Sequence, residues 1–534
     1  MKRRPAMLPV ALAAAFTIVA AGCTTSSGAG GSSPGSSGSP SGVSGTLTIA
    51  EGSTISTLDP AAQVSLTSYQ IVMQMVQSLT QISPSGQVEP LLATSWTMAP
   101  DGKSFTFNLR TGVKFSDGET FNASAVKFSI DRLLNPQTYE AEPSTLTVIK
   151  DVTVISPYQV RISLSSAYPS LPNLLALPAA GIIAPDSVNK APNTFAKIQD
   201  PVGTGPYIYQ GQVPGSSITL TANPHYWGTP KPAFAKQVWE IVPDAASQLA
   251  LLESNGAQVI EDPPASNLAS LQKSSTYKVI DTPAPEVVMI GLETQDTREP
   301  LLQKAAVREA LNYAIDRPLL INTLLDGAGK PVTGPIDSAD SGACTISNPY
   351  PYNPAKARQL LAAAGAQNLT IKMVAPDGRY LNDYDLAQAV AGELRSVGVH
   401  VTLANPTDFA TYLATVYGNE ATLPMDAYMM GLGDPSLTAS GSLGNFMANE
   451  QPPKGYNGTH YDSSQFASLF NQANATLNTA QRDSLYCQAQ KVLYDASPAL
   501  FLYQLEVPVA MDANLTGLIG LPSGVIETSW IRQG

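Results

Sequence analysis

The stretch from Leu369 to Leu403 constrains the fold more than any other part of the chain. Leu369, Ile371 and Met373 alternate with polar residues, the period of a half-buried strand. Leu386, Val390 and Leu394 then repeat at the helical period up to Gly398, and Val399, Val401 and Leu403 return to alternation. Two strands joined by a helix normally run parallel with a right-handed crossover, so this stretch implies a sheet with helices packed on it. Thr46 to Ala50 alternates like a strand, and Val72, Met75, Val76 and Leu79 share one helical face. Lys304 to Arg317 reads as one helix. Asn353, Pro354 and Gly365 supply the N-cap, first-turn and C′ residues of another helix. Ala480 to Ala496 reads as a late helix, followed by an apolar strand, Ala499–Tyr503. Around 85–200 the pattern is hairpins: Ser104 to Arg110 alternates, and Asp151–Ile155 and Gln159–Leu164 flank the turn residues Ser156-Pro157-Tyr158. The class is α/β.

The N-terminus reads as an address. Lys2, Arg3 and Arg4 precede an apolar run, Met7 to Ala21, that is shorter than the ~20 residues of a spanning helix. The run ends in Val19-Ala20-Ala21-Gly22-Cys23, small residues before a cysteine, which resembles a bacterial lipobox with Cys23 as the lipid-bearing residue. Ala20 stands where that pattern usually has Leu. Residues 1–22 are thus expected to be a lipoprotein signal peptide, and 23–45, nearly all Gly, Ser, Thr, Ala and Pro without charge, a flexible tether. With Lys and Arg at 30 against Asp and Glu at 42, no basic face for nucleic acid is expected. Three His and three Cys leave little material for a metal site, and neither a metal nor a cofactor is expected.

Several distinctive blocks stand along the chain. Leu91 to Gly118 holds Trp96, the turn dipeptides Asp101-Gly102 and Asp117-Gly118, and the alternating Phe105, Phe107 and Leu109. Further distinct blocks lie at Leu58-Asp59-Pro60, Thr120 to Arg132, Pro201 to Tyr207, Asn223 to Trp227, Val307 to Arg317 and Tyr352 to Gly365. This ordered set resembles the family 5 extracellular solute-binding proteins of ABC importers for peptides, nickel and related solutes. The resemblance implies a periplasmic-binding-protein-like two-lobed trap with an extra hairpin-rich domain. Domain I would take 46–84, 200–288 and 505–534, domain II 85–199 and domain III 289–504. It also implies a monomer held outside the cytoplasm on the cell membrane by lipidated Cys23, handing its solute to ABC permease subunits.

Family peptide binders hold an extended ligand through backbone groups of both lobes. By resemblance, Thr54, Ile55 and Ser56 line the cleft from one lobe, with Tyr139 as a further candidate. From the other lobe come Tyr428, Gly431, Leu432 and Asp434. Asp434 stands either for the aspartate that anchors a ligand amine or for the later Asp-Pro of a family turn. Asp59 is expected to cap a turn. The expected solute is an oligopeptide or peptide-like molecule; an oligosaccharide or other small solute is the alternative, and a secreted hydrolase a remoter one.

Catalytic patterns are poor. Gly31-Ser-Ser-Pro-Gly35 matches a nucleophile elbow but lies in the tether with no strand before it. Gly327-Ala-Gly329-Lys330 resembles a phosphate loop, yet Pro331 replaces the hydroxyl residue. Cys344 and Cys487 both fall in domain III, and in an exported chain a disulfide is expected between them. Two buried thiols are the alternative.

Overall fold

The computed structural model describes residues 44–53, 55, 57–62, 66–136, 138, 146–189, 198–346, 350–418 and 425–534. Strand β1 (Thr46–Glu51) buries Leu47 and Ile49 beneath α1 (Leu66–Met75), which contributes Ile71, Val72 and Met75 to the same core. The hairpin region follows. Its four antiparallel strands are β2 (Ala93–Met98), β3 (Ser104–Leu109), β4 (Ile149–Ser156) and β5 (Gln159–Leu164), in the spatial order β2-β3-β5-β4. Gly102 turns the first hairpin at φ +68°, and the Asp101 carboxylate accepts from Lys103 N at 2.9 Å. Helix α2 (Ala123–Leu133) begins where the Asn122 side chain accepts from Ser124 N and Ala125 N, and it buries Val126 and Ile130 under this sheet.

The chain returns through Gly203 and Gly205, which lie on the C-terminal end of α1. Gly205 N donates to Met75 O at 2.9 Å, and a Cβ there would fall 2.5 Å from Gln74 O. Only glycine permits so close a backbone crossing. The main sheet then fills in: β6 (Tyr207–Val213), β7 (Ser217–Ala222), β8 (Lys236–Ile241), β9 (Val259–Ile260) and the long β10 (Tyr277–Leu292). Beyond them come β11 (Gly329–Pro331), β12 (Thr370–Val374), β13 (His400–Leu403), β14 (Ala427–Gly433) and the long β15 (Ala499–Asp512). Their order is β13-β12-β14-β10-β15-β9-β1-β8-β7-β6, with β11 beside β15.

Between these strands, α3 (Ala305–Tyr313), α4 (Arg317–Leu324), α5 (Pro354–Ala363), α6 (Asp383–Ser396), α7 (Phe409–Tyr417) and α8 (Thr479–Ala496) complete the elements used below. The β12-α6-β13 unit is parallel as its periodicity implies, with Ile371 opposite Val401. One expectation is corrected: Lys304 to Arg317 is not one helix. α3 stops at Tyr313 and α4 starts anew with Asp316 accepting from Leu319 N at 3.2 Å. Pro318 lacks the N–H that a continuous helix would need there.

The cores divide along β10 and β15. Ala284, Val288, Ile290, Leu500, Leu502 and Leu505 join one core, while Val509 and Met511 join that of β1 and Trp239. The expected domain limits at 288/289 and 504/505 therefore fall inside two continuous strands. The register between those strands shifts from Pro283 to Val287 and again between Val288 and Met289. Among the described residues, no helix is long and apolar enough to cross a membrane.

Candidate functional site

Where β10 shifts register, Glu286 lies opposite Gly433 on β14. Its Oε1 accepts from Arg379 Nη2 at 2.8 Å, while its buried Oε2 has no hydrogen-bond partner among the described residues. Arg379 is positioned by its own loop. Asp383, at the start of α6, accepts from the backbone N–H groups of Gly378, Arg379 and Tyr380 at 2.8–3.2 Å. The Arg379 guanidinium lies 4.7 Å from the ring centre of Tyr380 and 5.5 Å from that of Phe409. Gly431 N donates to the Tyr380 hydroxyl at 2.7 Å, and a side chain at Gly431 would strike the Glu286 carboxylate. Glycine at 431 thus leaves room for a charged pair where the long strand β10 shifts register.

The other expected residues of this half land differently. Leu432 is half-buried against the core of Met430 and Phe501. Tyr428 is only 1 % exposed, its ring packed over Gly291 and Gly458 and 6.4 Å from the ring of Tyr417. In this structure it fills the core and is no stacking platform, because its strand residue points inward. Asp434 takes the turn role of its two expected alternatives. Its carboxylate accepts from Ser436 N at 3.0 Å, Ser436 Oγ at 2.5 Å and Thr438 Oγ1 at 2.6 Å, and Leu437 N closes the turn onto its carbonyl at 2.8 Å. A carboxylate so engaged has little left to offer a ligand amine.

In the other half, Ile55 is half-buried against the core of Leu58 and Ile71. Thr54, Ser56, Tyr139 and Cys23 lie outside the described residues. Glu51, which ends β1, and Glu261, just after β9, share one donor. Gln70 Nε2 lies 2.7 Å from Glu51 Oε2 and 2.8 and 2.6 Å from the Glu261 oxygens. Burial pushes both carboxyls up, Glu261 further because the charge of Glu51 lies beside it. These groups sit at the carboxyl ends of the parallel strands β1 and β9, the edge at which open α/β sheets meet ligands. Asp59 caps its turn, accepting from Ala61 N at 3.0 Å, and is also ion-paired with Arg132 of α2.

Sequence reasoning missed Glu286, Arg379 and the Glu51–Glu261 pair. Their only local signals are a Pro-Ala-Pro-Glu run inside a strand and an Asp-Gly-Arg-Tyr turn before a helix. Among the described residues, no group of three or more His, Cys, Asp or Glu is arranged to hold a metal. His460 pairs with Glu293. Cys344 and Cys487 are joined, with Cα atoms 5.5 Å apart.

Comparison with known proteins places the whole arrangement. The glutathione-binding protein GsiB of Shigella dysenteriae is 28% identical over 478 residues, 89% of this chain and 92% of that protein. NikA from Brucella suis, solved with Fe(III)-EDTA, superposes with a TM-score of 0.80 at 24% identity, over 92% of this chain and 100% of that one. AppA from Bacillus subtilis, solved with a nonapeptide, gives 0.74 at 22% identity, over 92% and 99%. Residues 87–453 match the family described as bacterial extracellular solute-binding proteins, family 5 Middle. The chain belongs to that family of extracytoplasmic, non-enzymatic components of ABC importers, which bind peptides or small solutes and work with permeases.

Proposed function

We propose that this chain captures an oligopeptide or peptide-like solute by closure about β10 and β15, and delivers it to an ABC permease while held at the membrane by a lipid on Cys23. The observation that carries the reading is the Glu286–Arg379 pair at the register shift between those two strands. A zwitterionic solute has what such a pair recognises: a carboxylate for the guanidinium and an ammonium for the second carboxylate oxygen. Support also comes from the glutathione-binding and nonapeptide-bound relatives. Along β10 and β15 the core changes a few residues away from the domain limits proposed from the sequence: Ala284 and Val288 already share the core of Leu500, and Leu505 still does. Backbone groups of Gly431 and Leu432, with Thr54, Ile55, Ser56 and Tyr139 opposite, complete the proposed cleft.

A second reading, a solute without an α-amino group, is favoured by one observation: Asp434 is spent on its own turn. Mass spectrometry of solute extracted from the purified body, starting at Thr46, decides between them. Peptide masses support the first reading, and sugar masses overturn it. Arg379→Gln is expected to weaken peptide binding about tenfold or more while leaving the melting temperature of the free protein within a few degrees.

A further inference from the structure

A cavity of about 590 Å³ lies away from the Glu286–Arg379 pair and shares no residue with it. That volume falls in the range of small-molecule sites. Its walls come from the end of α1, the hairpin region, the segment around Trp227 and the C-terminal segment; among the described residues of 289–504, Pro435 on the Asp434 turn lines it. Met73, Leu521, Val525 and Trp530 supply apolar wall, and Trp227 forms a flat aromatic side.

Among the described residues lining this space, Arg110 is the cation. The Arg110 guanidinium lies 4.5 Å from the Trp227 ring centre, and its Nε donates to Leu91 O at 3.1 Å. Among the described residues its two terminal nitrogens make no hydrogen bond. Trp227 is fixed in turn, its Nε1 donating to Gln77 Oε1 at 2.8 Å, which also accepts from Thr204 Oγ1 at 2.9 Å. Two carboxylates line the cavity as well. Glu89 is exposed; Glu527 accepts from Ser529 N at 2.7 Å, and burial raises its pKa. A positioned guanidinium whose two terminal amino groups have no hydrogen-bond partner among the described residues, stacked on one indole face, suits an anionic group attached to a flat apolar body.

We infer that this cavity is a second binding site, for an amphipathic organic anion, with Arg110 holding the anionic group and Trp227 and Trp530 the apolar body. Pro435 then lies where an occupant touches a turn from the other half of the molecule.

The test uses two probes on the protein: 8-anilinonaphthalene-1-sulfonate, and N-phenyl-1-naphthylamine as its uncharged counterpart. The sulfonate is expected to bind once per chain and to quench tryptophan emission. Arg110→Gln should weaken the sulfonate about tenfold or more and the uncharged probe less than about twofold, and Arg110→Lys should retain most of the affinity. Ser523→Trp, which adds bulk at the cavity wall, should abolish both. Wild-type affinity for the sulfonate in either Arg110→Gln or Ser523→Trp overturns the inference, as does equal loss of both probes in Arg110→Gln. If Arg110→Gln does not fold, Ser523→Trp alone decides. Arg379→Gln should leave sulfonate binding unchanged, so failure of the solute reading and failure of this one are read separately.

Discussion

At the scale of single residues, Asp59 and Arg132 form a buried ion pair. Asp59 is 0% and Arg132 3% exposed at the side chain, and the pair ties the first turn of the body to α2 of the hairpin region. Asp59 also accepts from Ile198 N at 2.9 Å. Arg132→Ala strands a buried carboxylate, so a loss of about 3–5 kcal/mol is expected in denaturant unfolding. Glu393 makes a pH-dependent contribution. Burial raises its carboxyl from the ordinary 4.5 to about 7, against the hydrogen bond it accepts from Asp316 N. The folded form therefore holds a proton that the unfolded form has released. That contribution is complete below pH 4.5 and is lost as pH rises through 7. Glu393→Gln is expected to gain melting temperature over the wild type as pH goes from 4.5 to 8, with little difference at the acid end. A constant difference across that span would remove Glu393 from the account. Neither partnership was legible in the sequence. Asp59 read as a turn cap, which it is, but its cation lies 73 residues away. Glu286 and Arg379 are separated by 93 residues and meet only because a strand shifts register.

Elements were more legible because their signals are local. Asn122 before α2, Asn353 and Pro354 at the start of α5, and Gly365 with φ +69° at its end sit where capping chemistry puts them. Asn122→Ala should therefore cost about 1 kcal/mol in chemical unfolding, while Asn122→Ser should cost only a few tenths. The β12-α6-β13 unit was readable for the same reason: its periodicities change within one short stretch. The break between α3 and α4 shows the limit. Val307, Ala310, Leu311, Ala314 and Ile315 all join one core, so the apolar spacing looks continuous although the helix ends. Tyr428 fails likewise. Alternation places it on one face of β14 but does not reveal that Gly291 and Gly458 make space for its ring inside the core.

At the scale of the whole molecule, sequence order and spatial order part company. Residues at the end of the chain pack with those at its beginning: Leu521 and Val525 enter the hairpin core, and Ile526 N donates to Gln70 Oε1 at 3.4 Å. The Cys344–Cys487 link acts on one half only. It ties the segment before α5 to α8, where Gln490 also bonds Cys344 N and Gly342 O. It closes 143 residues of chain, so chain entropy alone gives an upper figure of about 5 kcal/mol. Reduction, or Cys487→Ser, is expected to lower the melting temperature clearly. Two free thiols in denatured, unreduced protein would contradict the link.

The placement of β1 also bears on how the chain is made. Thr46 pairs with Lys236 and Ile49 with Val259, so the first strand has no neighbour in the sheet until much of the chain has been synthesised. Its core closes only when Leu515, Leu518, Ile526 and Ile531 arrive at the far end. Such long loops must close before their contacts reward them, which slows folding. A nascent chain of this order leaves the core of β1 open until those distant residues have been made.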